Sequence, residues 1–187
     1  MKPKRIIHLL SGGLDSVTLL HDILQQGHHV HCMLADYKQQ HVQELTFAKG
    51  HCRKLGVSFT TTDLPKLGGL NEESWIVPNR NCILLSLATN LAVQTQSSIV
   101  TIGCNRDDRD GFPDCRQAFL DGFNTTMKLA EIPVKVLAPY LNRRKSWIAK
   151  RAKQLDINLS QIWTCYRGGA KPCGTCPACL KLTAANT

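Results

Sequence analysis

A chain of 187 residues, 43% of them hydrophobic, is long enough to bury one real core and too short for a second full domain. No apolar stretch approaches the roughly 20 residues that span a bilayer, and Met1-Lys-Pro-Lys-Arg5 runs straight into an apolar segment without a signal-peptide core, so a cytoplasmic protein with no membrane contact is expected. The formal charge of +9 is uneven: residues 143–187 hold nine Lys and Arg against the single acid Asp156, so +8 of the +9 lies there.

The first predicted element is a strand over Ile6–Leu10, followed by Ser11-Gly12-Gly13-Leu14-Asp15-Ser16 and a helix that begins near Val17 and runs to Gln25. That placement makes the hexapeptide a phosphate cradle. Its two glycines let backbone N–H groups crowd around an anion, the Ser11 and Ser16 hydroxyls add donors, and the helix points its positive end at the same spot. The loop lacks the Gly-Lys-Ser/Thr ending of a Walker A motif, and Asp15 stands where that motif carries lysine. It resembles the SGGxDS loop of the N-type ATP pyrophosphatases, which split ATP between the α and β phosphates. The plainer alternative is a Ser/Gly-rich turn with an ordinary helix cap.

Strands are predicted next at Val30–Leu34, Val57–Thr61, Ile99–Ile102 and Val134–Leu137, and helices at Val42–Leu55, Cys82–Val93, Gln117–Ala130 and Trp147–Leu155. This alternation implies an α/β fold, a Rossmann-like, doubly wound, parallel five-stranded sheet. Ligands of such sheets bind at the carboxyl ends of strands, where Ser11–Ser16, Asp36-Tyr37 and the segment from Asn105 to Arg116 all fall. Composition breaks near residue 160, dividing a main unit of residues 1–160 from a tail of residues 161–187 that belongs to the same globular body. The basic block spans this break. Its cations interleave with Trp147, Ile148, Ala152 and Leu155 at helical spacing, which favours a solvated helix side, while an acidic or nucleic-acid partner remains the alternative.

The chain has nine cysteines, an odd count that argues for a reducing compartment; Cys32, Cys52, Cys82, Cys104 and Cys115 are scattered without partner spacing. The other four, Cys165, Cys173, Cys176 and Cys179, fall within fifteen residues with two successive CxxC steps. A two-residue gap lets a tight turn aim both sulfurs at one ion, and four thiolates complete a tetrahedral zinc with no open position. One structural Zn2+ per chain is expected, with iron–sulfur ligation as the metal alternative.

Taken in order, Ser11–Ser16, Asp36-Tyr37, His41 with Glu44, Val77-Pro-Asn-Arg-Asn81, Leu85-Ser-Leu-Ala88, Ile102-Gly-Cys-Asn105, Asp108, Gly111-Phe-Pro-Asp-Cys-Arg116, Phe119-Leu120, Thr164-Cys165-Tyr166 and the final CGxCxxC resemble the 7-cyano-7-deazaguanine synthases of queuosine biosynthesis. The similarity covers most of the chain. It implies ATP and Mg2+ as cofactors, structural zinc on the four cysteines, a homodimer, and conversion of 7-carboxy-7-deazaguanine with ammonia to the nitrile, releasing AMP and pyrophosphate. On that resemblance Ser11, Gly12, Gly13, Leu14, Asp15, Ser16, Asp36 and Tyr37 are expected to bind the nucleotide, with Tyr37 flanking adenine and Asp15 serving magnesium or the loop itself. Ser11, Asp15, Ser16 and Arg80 are the expected catalytic residues. Arg80, Asn81, Asn105, Asp108, Asp114 and Arg116 are expected at the deazaguanine substrate, where carboxylates such as Asp107, Asp108 and Asp114 suit the amine edge of a guanine-like base. Each has a bland counterpart: Arg80 pairing with a surface acid, Asn81 capping a helix that opens at Cys82, and Asp114 capping the next. Cys115 is a site candidate without an assigned covalent role.

The chain departs from the pattern Asp-Tyr-Gly-Gln-Arg-His by placing Lys38 for glycine and Gln40 for arginine, and the stretch from Thr62 to Trp75 is short for the group. These departures motivate a second reading, in which the same adenylate is passed to an amine of a protein or nucleic-acid acceptor. A non-catalytic nucleotide-binding module is a third, and a tRNA-thiolating enzyme of the same ATPase group fits the terminal knuckle less well.

Overall fold

Strands β1 (Arg5–Leu9), β2 (His29–Asp36), β3 (Ser58–Asp63), β4 (Ile99–Thr101) and β5 (Lys135–Leu137) pair in parallel in the order β3-β2-β1-β4-β5. The computed structural model describes residues 2–68 and 76–186. Ile7 pairs with His31 on one side and Val100 on the other, so β1 is the central strand and the connection reverses between β1 and β4. A crevice opens at that switch point, outside the carboxyl ends of the strands.

The pleat sends alternate residues to opposite faces. Ile6, Leu10, Cys32 and Leu34 turn to the face covered by α1 (Leu14–Gln25), α2 (Glu44–Leu55) and α5 (Lys145–Gln154), where Val17, Leu20, Ala48, Ile148 and Ala152 complete the core. Ile7, Leu9, Met33, Val100 and Val136 turn to the other, against α3 (Arg80–Gln94) and α4 (Gln117–Leu129), which contribute Leu85, Ala88, Leu120, Phe123 and Met127. The expected doubly wound five-stranded sheet is thus the observed one. Among the described residues no helix is long and apolar enough to cross a membrane.

Several boundaries differ from expectation for local reasons. The first helix starts at Leu14 rather than near Val17, because Gly13 takes the extended N-cap conformation (φ −80, ψ 165), leaving Ser11–Gly13 as loop and Leu14–Ser16 as the first turn. α3 opens at Arg80 behind Asn79, whose φ of 61 turns the chain into it, so Asn81 lies inside the helix and does not cap it. α6 (Pro177–Asn186) was not anticipated. It begins between the last two cysteines, where Pro177 is compatible with a first helical turn, and it packs on α5 while Leu182 reaches the core. Past β3, Leu64 N donates to Asp36 O (2.7 Å) and Leu67 N to Tyr37 O (3.2 Å), and the remainder of the short stretch, residues 69–75, lies outside the described residues.

Candidate active site

The chain between β1 and α1 folds on its own hydroxyls. Ser11 N donates to Ser16 Oγ (3.2 Å), the Ser11 and Ser16 hydroxyls lie 3.0 Å apart, and Ser16 Oγ donates to Gly13 O (3.2 Å). Gly12 has φ +86, and a Cβ there would come within 2.3 Å of Glu44 O; only glycine fits. The first-turn amides of α1, which have no intrahelical acceptor, therefore face the crevice with two serine hydroxyls. Beneath the loop, His8 is wholly buried, its Nε2 2.9 Å from Ser16 O and its Nδ1 2.8 Å from Thr101 Oγ1. Burial lowers its pKa to about 4, so the ring is neutral and bonds the loop to β4.

Asp15 points out of the first turn into the cleft. Its Oδ2 receives the Lys145 ammonium and Asn105 Nδ2 (3.2 Å), while Oδ1 is buried without a partner. Burial raises its pKa, and Lys145 opposes that shift. Asn105 also donates to Asp108, and Asp108 receives Lys181 of α6 at 3.2 Å. Asp107 is engaged elsewhere, accepting the Lys145 backbone N–H (2.8 Å) at the start of α5. Lys145 was counted among the basic tail residues, and its inward turn could not be separated from its neighbours by sequence alone. The tail is in fact divided: Arg151 pairs with Asp22, Arg143 stacks 4.5 Å from the Trp147 ring, and Arg144, Lys150, Lys153, Arg167 and Lys171 are exposed.

Across the cleft, Tyr37 is buried and its hydroxyl meets the Arg80 guanidinium. Burial opposes the charge of Arg80, but Tyr37, Asp114 and Glu44 more than compensate and hold it cationic. It is no surface partner. Glu44 accepts from Gln39 Nε2 (3.0 Å) and lies 3.6 Å from His41 Nε2. Burial lifts the Glu44 pKa to about 7 and depresses that of His41 to about 4. Both belong to the family-like sequence pattern, which by itself assigns neither a role.

One cleft is lined by Ser11, Gly13, Leu14, Asp15, Ser16, Tyr37, Arg80, Asn81 and Asp108, together with His41, Glu44, Cys104, Cys115, Lys145, Trp163 and Tyr166. Gly12, Asp36, Asn105, Asp114 and Arg116 are not in its wall. Asp36 accepts the Lys38 N–H (2.9 Å), Arg116 Nε donates to Arg109 O (2.9 Å), Asn105 bridges Asp15 and Asp108, and Asp114 supports the charge of Arg80.

The cysteine tail closes the cleft. Trp163 N donates to Gly12 O (3.0 Å), Tyr166 packs 5.9 Å from His41, and Gly168, at φ +62, lies so close to the preceding loop that a Cβ would be 1.8 Å from Gln40 O. Ligand atoms of Cys165, Cys173, Cys176 and Cys179 all lie within 4.8 Å of one another, and Cys173 N and Cys176 N donate to thiol sulfurs at 3.3 Å. Four sulfurs so arranged, with amides to share their charge, can hold a metal ion.

Known proteins resemble this chain in sequence and in fold. The profile described as "Queuosine biosynthesis protein QueC" matches residues 5–76 and 70–186. The 7-cyano-7-deazaguanine synthase of Hahella chejuensis is 36% identical over 96% of this chain and 87% of its own length. That of Pseudoalteromonas translucida is 38% identical over 94% and 90%. Among solved structures, the U34-tRNA thiolase NcsA from Methanococcus maripaludis with its [4Fe-4S] cluster superposes with TM-score 0.60 at 15% identity, covering 98% of this chain and 63% of that one. An NH3-dependent NAD synthetase from Campylobacter jejuni gives 0.55 at 19%, over 87% and 68%. These two establish the fold alone. With the profile spanning almost the whole sequence and relatives above 30% identity along nearly its full length, the chain belongs to the queuosine biosynthesis protein QueC family.

Proposed function

We propose that the protein adenylates 7-carboxy-7-deazaguanine with ATP and converts it with ammonia to 7-cyano-7-deazaguanine, releasing AMP and pyrophosphate. The observation that carries this reading is the phosphate cradle and the half-buried Arg80 lining one cleft, in a chain whose relatives bear the synthase name. A carboxylate resists amination because oxide is a poor leaving group, and exchange for AMP removes that obstacle. The first-turn amides of α1 and the Ser11 and Ser16 hydroxyls hold pyrophosphate as charge builds on it. Lys145 adds a cation at the same end, and Arg80 neutralises an anionic group of substrate or nucleotide. Tyr37 and Asp36 serve the nucleotide and Asn81 and Asp108 the base, with Asn105 holding Asp108, Asp114 supporting the charge of Arg80, and Arg116 near the base from outside the wall.

The orphaned Oδ1 of Asp15 fits a magnesium ligand, and the bound ion would supply charge neutralisation at the phosphates. For the tail, thiol sulfurs within 4.8 Å suit one zinc, since four irons of a cluster would hold their thiolates further apart. Residues 161–187 then act as a metal-bound closure of the unit formed by residues 1–160. A homodimer is also proposed, with the half-buried Ile83, Leu87 and Leu91 of α3 and the 49% exposed Val93 as its support. The test is carboxylate-dependent exchange of labelled pyrophosphate into ATP. Exchange that needs 7-carboxy-7-deazaguanine is expected; its absence with active, metal-loaded protein contradicts the reading.

A further inference from the structure

Two cysteines outside the metal cluster, Cys104 and Cys115, meet in the wall of the cleft. Cys104 follows β4, next to Gly103, whose own backbone lies so close to α1 that a Cβ would be 3.1 Å from Ser16 N. Cys115 ends the helical turn Pro113–Cys115. The two thiols are neighbours, and Asn81 Nδ2, in the first turn of α3, donates to Cys115 Sγ at 3.9 Å. Its neighbour Cys115, with burial, pushes the Cys104 thiol well above its ordinary value, so Cys104 keeps its proton. A buried amide donor is therefore aimed at Cys115 Sγ in the cleft wall, beside a Cys104 that stays protonated. Asn81 is 5% exposed and Cys115 7%. A cysteine serving only as core filler needs no buried amide aimed at its sulfur.

Resting on the synthase reading, we propose that Cys115 is the nucleophile that takes the acyl group from the adenylate before ammonia does. The Cys115 thiol first loses its proton to water in the open cleft. Its sulfur then attacks the acyl carbon, a C–S bond forms, the C–O bond to phosphate breaks, and AMP departs with the electron pair. Ammonia next attacks the thioester carbon; the C–N bond forms, the C–S bond breaks, and the proton shed by nitrogen returns to sulfur. The products are the primary amide and the free thiol. Holding the acyl group on sulfur separates the ATP-consuming step from amination and keeps a reactive adenylate from being lost to water.

The test is the intact mass of metal-loaded, full-length protein incubated with ATP, magnesium and 7-carboxy-7-deazaguanine in the absence of ammonia. The wild-type protein is expected to gain one 7-deazaguanine-7-carbonyl group, mapped to the Cys115 peptide and removed by hydroxylamine, and ammonia should discharge it as the amide. Cys115→Ala, with its fold checked by metal content and thermal unfolding, should gain no such adduct and form amide at least about 100-fold more slowly. Wild-type protein that exchanges pyrophosphate yet carries no adduct overturns the proposal, as does Cys115→Ala forming amide at the wild-type rate. If Cys115→Ala fails to fold, the mapped wild-type adduct decides alone. Absence of pyrophosphate exchange is a different failure, sinking the synthase reading and this step with it.

Discussion

At the scale of single residues, Lys145 has the most to explain. It pairs with Asp15 at the mouth of the phosphate cradle, and the two side chains are only 16% and 17% exposed. Removing one partner of such a pair strands the other charge, at a cost of about 2–3 kcal/mol, less than for a fully buried pair. Lys145→Met should therefore lower stability by that amount in urea unfolding at pH 7. The deficit should narrow at lower pH, where Asp15, already raised by burial, takes up a proton. Lys38 carries the opposite prediction. It stands at φ 60, a left-handed conformation that strains any residue with a Cβ, and its contacts to Asp36 (3.4 Å) and Asp63 (3.9 Å) are largely exposed. Lys38→Gly should raise stability by about 0.5–1 kcal/mol, the relief of strain outweighing the added chain entropy and the lost surface pair. The glycine expected there from family resemblance thus has a backbone reason, and the lysine departs from it at an energetic cost. Ser11–Ser16 and the cysteine quartet were legible in sequence because spacing alone carries their chemistry. His8, Glu44 and Lys145 were not, because their significance lies in burial and in partners distant along the chain.

At the scale of elements, the tail and the phosphate loop behave as one device. Trp163 bonds Gly12, Gly168 lies against Gln40, and α6 reaches back through Lys181 to Asp108. A metal on the four cysteines would therefore order more than its own knuckle, since its binding free energy becomes folding free energy for everything the tail holds. Chelation, or Cys176→Ser, should expose Trp163, read as a shift in its fluorescence, and weaken ATP binding by at least about tenfold, roughly 1.4 kcal/mol. Unchanged nucleotide affinity in metal-free protein would uncouple the two elements. All five strands and the five helices before the tail were anticipated, because their periodicities are regular. α6 was missed because cysteine spacing masked its helical pattern, and the early starts of α1 and α3 depend on the cap conformations at Gly13 and Asn79.

At the scale of the whole molecule, buried titrating groups set opposing pH dependences. His8 titrates near 6.5 in the unfolded chain and at about 4 when folded, so its contribution is complete above pH 6.5 and is lost as pH falls toward 4. The loss is about 3 kcal/mol at roughly 1.4 kcal/mol per unit. His41 acts in the same direction, with less weight because it is less enclosed. Glu44, raised from 4.5 to about 7, contributes fully below pH 4.5 and loses its contribution as pH rises through about 7. The wild-type profile between pH 4 and 7 should consequently be shallow. Glu44→Gln should make it steeper on the acid side, as measured by thermal unfolding across that range; an equally shallow profile would show that the buried histidines are not the acid-sensitive groups.

If one cleft activates a deazaguanine carboxylate with ATP and carries it to a nitrile, as proposed, each activation leaves AMP and pyrophosphate to be counted. The most direct measurement is mass spectrometry of the products formed by purified protein, ATP, magnesium, 7-carboxy-7-deazaguanine and ammonia, with AMP and pyrophosphate counted beside the base. The expected result is 7-cyano-7-deazaguanine with two AMP and two pyrophosphate for each nitrile. Activation that stops at the amide, or an acyl group found instead on a protein or nucleic-acid amine with one AMP each, would contradict it.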